Sequence, residues 1–149
     1  MSTVKADYLV NAAGTGAPTF TNGLTSSSTI TATSTITSSS TISDQAGNVR
    51  DLVNSSKTAA YVPAATDNGK LINITTGGIT INASVFAAGQ NVTIYNNSAS
   101  SQTITQGTSV TMYLAGSATT GNRTLAQRGI CTILCVASNT FVCSGAGVT

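Results

Sequence analysis

Cys131 and Cys135 stand four residues apart, and Cys143 follows near the end of the chain. Thiols at such a spacing could start a metal site. A structural zinc site needs four ligands, and the chain has no histidine to complete a set. The expectation is therefore three small thiols buried in strands. The acidic side chains are Asp7, Asp44, Asp51 and Asp67, and there is no glutamate. Asp44 and Asp51 flank "QAGNVR" and would have to approach one another to act as an acid–base pair, with no histidine to assist. Asp67 lies in "TDNGK", where Asp-Asn-Gly suits a tight turn, so a turn or surface role is expected for it. "GTGAP" and "SGAG" carry the Gly-x-Gly pattern, but no Lys-Ser/Thr follows either, so phosphate binding is not expected. Serine and threonine are abundant, yet nothing stands ready to activate one as a nucleophile. These residues predict no catalytic, cofactor-binding or metal-binding position, and no enzyme.

The composition points elsewhere. Among 149 residues only 7% are charged and 40% are hydrophobic, against about 25% charged in an ordinary soluble domain. Thr, Ser, Val, Ile, Ala and Gly dominate, which suits ordered β-structure with hydroxyl-covered surfaces. So few charges protect a lone chain poorly against self-association, so the chain is expected to live in an oligomer or larger assembly. Lys5, Arg50, Lys57, Lys70, Arg123 and Arg128 are scattered and not interleaved with aromatics, so no nucleic-acid partner is expected. "MSTVKADYLV" lacks the apolar core of a signal peptide, and no run approaches the ~20 apolar residues of a membrane span. A soluble protein made in a cytosol, with no membrane partner, is the expectation.

Three textures follow one another. Residues 1–24 contain a short strand-like run, "TVKADYLV", and then "NAAGTGAPTFTNGL", rich in Gly, Pro and Asn. This is an extended arm that gains order by docking. Residues 25–56 hold a strip that in sixes reads "SSSTIT", "ATSTIT", "SSSTIS". A spacing of six is even, so in a strand Ile30, Ile36 and Ile42 share a face, with Leu24 one step earlier. The other face carries a Thr-x-Thr ladder. One isoleucine in six is too sparse to pack on the chain's own domain. It suits a thin column of about 50 Å in which three chains meet on an axis, one isoleucine per chain per layer. A one-chain solenoid is the competitor, but three hexads are few for one.

Residues 57–149 hold many short apolar runs separated by "TDNGK", "TTGG", "AAGQ" and "SATTGN". Short strands at regular spacing predict an all-β, antiparallel sandwich or jelly-roll-like knob. In "NVTIYNN", Val92, Ile94 and Asn96 fall on one side. "GICTILCVA" is apolar almost throughout, which predicts a central strand covered on both faces.

The segments also carry a resemblance. "TVKADYLVNAAGTGAPTFTNGL" looks like the N-terminal segment of small fibre or decoration proteins of tailed bacteriophages, particularly those of cyanobacteria. "SDQAGNVRDL" is similar to their junction between stalk and tip. "YVPAATDNGKLINI", "GITINASVFAAGQNVTIYNNSASSQTITQG" and "AGSATTGNRTLAQRGICTILCVASNTFVCSGAG" resemble a tip domain of phage virion proteins. The resemblance implies a homotrimer at the virion surface, arm attached to the particle and knob outward, with no catalytic residues. Tyr8, Leu9, Val10, Pro18 and Phe20 are then the apolar anchors, and Leu24, Ile30, Ile36 and Ile42 the trimer axis. The chain is short for a tail fibre, which favours a capsid decoration, or cement, protein whose partner is the major capsid protein. The alternative is a short tail fibre or tip on a tail adaptor or baseplate protein, binding a host receptor. A remote alternative is ice binding by the threonine ladder.

Overall fold

The computed structural model describes residues 42–44, 47–49 and 51–149. The arm anchors and Leu24, Ile30 and Ile36 lie outside the described residues. Ile42 lies inside them, and its side chain is exposed. Its carbonyl accepts a hydrogen bond from the Val49 amide at 2.9 Å. That bond flanks a small antiparallel pair, β1 (Ser43–Asp44) with β2 (Gly47–Asn48).

The chain is all-β, as its composition predicts: the described residues hold strands, one 3-10 turn and no α-helix. Three strands, β3 (Asn54–Lys57), β4 (Leu71–Ile74) and β6 (Asn91–Asn96), pair side by side in parallel. Two more, β5 (Ile79–Ile81) and β7 (Gln102–Gln106), also pair in parallel, and Tyr61 bridges to Ile79 in the same sense. The chain therefore climbs in coils. Each coil lays one strand on a first wall, turns a corner and lays the next on a second wall. At the middle corner Gly77 and Gly78 have φ of +87° and +69°. A Cβ at Gly77 would collide with the Ala60 backbone of the coil before it, so only glycine fits. Alternate residues of these strands, among them Ile72, Ile74, Ile79, Ile81, Val92, Ile94 and Ile104, enter one shared core.

A long hairpin closes the stack. β9 (Arg123–Ala137) runs antiparallel to β7 over Arg123–Leu125 and to β6 over Ile130–Leu134, so it belongs to both walls. It bends between them, where Arg128 has φ +62°. β10 (Thr140–Val148) follows β9 back along its length, and β8 (Thr111–Leu114) pairs in parallel with β10. Across the first wall the order is β3-β4-β6-β9-β10-β8. Where β10 crosses β9, Gly145 has φ +155°, and a Cβ there would meet the Ile130 carbonyl and Cys131.

Two expectations need correction. The knob is not an antiparallel sandwich; its sheet is mixed, because "TTGG" turns a corner between walls and does not reverse the chain. "GICTILCVA" lies centrally, between β6 and β10, but only one of its faces is covered by the described residues. The strand also begins earlier than its apolar run, at Arg123, because it continues past the bend onto the second wall.

Candidate interaction surface

The uncovered face of the first wall is built by register. Side chains paired across strands share a face, so Tyr113, Val142, Leu134 and Asn91 form one row. Ser144, Thr132, Thr93 and Leu71 form the next, and Ala146, Ile130, Tyr95 and Asn73 the third. The inward partners, including Ile133, Cys131, Ile94 and Ile72, are fully buried. The outward rows are not. Ile130, Leu134 and Val136 are 45%, 39% and 46% exposed. None of these rows carries an aspartate, glutamate, lysine or arginine. Thr93 and Thr132 approach at 3.4 Å through their hydroxyls. Arg128 stands at one end, where its guanidinium donates to the Tyr95 hydroxyl at 3.2 Å and to Asn97 Oδ1. The surface is thus a sheet face of aliphatic, hydroxyl and amide groups with one cation at its end.

The three thiols lie behind this face. Cys131, Cys135 and Cys143 are free and buried. Cys131 donates to Cys143, which raises the Cys131 pKa and lowers that of Cys143. Burial pushes the Cys135 thiol up, and its Sγ bonds the Phe86 carbonyl at 3.3 Å. Arg123 is also buried. Its Nη2 donates to the Met112 and Thr119 carbonyls at 3.2 and 2.8 Å, while Nε has no hydrogen-bond partner among the described residues.

Asp67 departs from its expected surface role. It ends the 3-10 turn Ala65–Asp67, so the turn assignment holds, but the side chain is only 3% exposed. Tyr61 donates its hydroxyl to Oδ2 at 2.6 Å, the Ala64 amide donates at 2.9 Å, and Lys70 lies 3.7 Å from Oδ1. Burial alone would raise the carboxyl pKa. The Tyr61 and Ala64 hydrogen bonds and the charges of Lys70 and Lys57 outweigh it and hold the pKa below its ordinary 3.8. The hydrogen bond to Asp67, then burial, pushes Tyr61 up to about 12. Lys57 Nζ sits 3.9 Å from the centre of the Tyr61 ring. The cluster fastens the first coil to the second.

Among the described residues no cluster of three or more His, Cys, Asp or Glu side chains could hold a metal, and no helix is long and apolar enough to cross a membrane. Of the aromatics in the knob, Phe86 and Phe141 are buried and meet edge to face, whereas Tyr61, Tyr95 and Tyr113 are half-buried. The open face was missed in the sequence because an apolar run on a central strand reads the same whether its second face is covered by its own chain or by another. The signal was present: Ile130, Thr132, Leu134 and Val136 alternate along the strand, three of the four apolar. No family model, no curated protein and no solved structure matches this chain.

Proposed function

We propose that the chain is a structural protein of a bacteriophage virion, a homotrimeric decoration protein that binds the major capsid protein and stabilises the head shell. The resemblance of residues 3–24, 43–52, 61–74, 78–107 and 115–147 to small phage fibre and decoration proteins carries the reading. The physical chemistry agrees with it. A chain with 7% charged residues and an apolar sheet face suits an assembly. The short strip, with one isoleucine in six, suits a three-chain stalk that begins at Leu24 and reaches Ile42. The arm residues Tyr8, Leu9, Val10, Pro18 and Phe20 would grip the shell, and the knob would face outward at the virion surface. A ligand that binds only the assembled shell stabilises it by mass action.

The test is the copy number per particle, by quantitative mass spectrometry of purified virions against the major capsid protein. Hundreds of copies per particle are expected. A few to a few dozen would move the protein to the tail and favour receptor binding. Its absence from the particle would refute the virion reading.

A further inference from the structure

We propose that the open face of the first wall is where the knobs of one trimer meet, each covering the apolar rows of its neighbours. The inference rests on the trimer in the reading above and adds the surface by which the knobs pack.

The argument begins with β9. Its residues 129–137 have the composition of a strand covered on both faces, and one face is bare. Six strands at about 4.8 Å and a length of about 20 Å make a face of about 500 Å². Ile130, Leu134 and Val136 make part of this face an exposed apolar patch, and such patches mark contact sites. The occupant follows from charge. An ionised group seated against Leu134 and Thr132 would lose its water with no counter-charge in the rows to receive it; the one cation, Arg128, stands at the end of the face. A largely uncharged partner surface fits these rows, and the same face of another copy is one. Area supports the choice. About 500 Å² shared between two neighbours is well below the ~800 Å² per partner of a stable free pair. The contact would be weak between separate chains. It becomes effective between chains already joined by a stalk, where a short link gives an effective concentration in the millimolar range.

The test uses the full chain in solution. Val136 on the face and Val62 off it are 46% and 48% exposed in the single chain. Hydroxyl radicals should therefore label them alike unless something covers Val136. Light scattering on the same sample gives the mass. The expected result is a trimer in which Val136 is labelled at least about threefold more slowly than Val62, as water is kept from the contact. A trimer in which the two label alike overturns the inference and leaves the trimer standing. A single-chain mass overturns both. Val136 protected at a single-chain mass would make residues 1–41 the cover and equally refute contact between copies. Absence of the protein from virions would end the decoration reading without touching this result.

Discussion

Tyr61 reaches from the first coil to a carboxylate in the second, and its hydroxyl is spent on that one bond to Asp67. A hydrogen bond to a charged, buried acceptor contributes about 1.5–3 kcal/mol. Tyr61→Phe should therefore lower stability by about 2 kcal/mol at pH 7, read as a shift in urea midpoint at unchanged slope. The pH dependence follows from the two displaced pKa values. Asp67 titrates below 3.8 in the folded chain, so its contribution is complete above the ordinary carboxylate range and is lost as pH falls through the folded value. Tyr61, raised from 10.0 to about 12, contributes fully below 10 and loses its contribution as pH rises towards 12. The gap between wild type and Tyr61→Phe should be widest between these limits and shrink at both ends. A gap that stays constant from acid to alkali would mean that the ring, under Lys57, matters and the hydroxyl does not.

At the scale of elements, the bend in β9 decides the fold, because it lets one strand close both walls. Asn96 holds it. This fully buried side chain has Nδ2 within hydrogen-bond distance of the Ser100, Leu125 and Ala126 carbonyls, at 2.8, 2.9 and 2.9 Å. Its Oδ1 accepts from the amide and hydroxyl of Ser98. Asn96→Ala would strand buried carbonyls and should cost about 3 kcal/mol. Asn96→Asp should cost more, since a carboxylate would face three carbonyl oxygens. Hydrogen exchange should show the loss first at residues 123–130. Uniform loss over all strands would mean that Asn96 does not hold the bend locally.

Asn96 also marks how far the sequence could be read. Alternation placed it on one side with Val92 and Ile94, and in the structure all three are buried. The same alternation could not tell a parallel coil from an antiparallel hairpin, because side-chain period is 2 in both. The distinction lay in the consecutive glycines at 77 and 78, whose positive φ turns a corner. Nor do the coils repeat at a fixed length: Asn54 faces Leu71, and Leu71 faces Thr93, so no period announced them. The short strand Asn54–Lys57, polar throughout, was invisible to an apolar pattern; its neighbour β4 makes it a strand. The open face was half legible: its apolar residues stood out, but the sequence led to the expectation that both faces of the strand are covered.

For the whole molecule, the proposed stalk and the proposed knob contact would be two parts of one assembly, and one substitution would separate them. On that proposal the open face is too small by itself to hold three chains together, and the trimer would depend on the strip. Ile36→Asp would place three carboxylates in one layer of the axial column. Each would be desolvated and would repel the others, and uncompensated buried charges cost about 3–5 kcal/mol apiece. At pH 7 the variant should run with the mass of one chain, and Val136 should label as fast as Val62. Burial and mutual repulsion would raise the carboxyl pKa in the trimer above the ordinary ~3.9. Assembly should therefore strengthen as the pH falls, and the trimer and the protection of Val136 should return together near pH 4. Ile36→Asn, uncharged at every pH, should show no such recovery. A variant Ile36→Asp that remains a trimer at pH 7 would refute the axial column. One that becomes a single chain yet keeps Val136 protected would refute the knob contact alone.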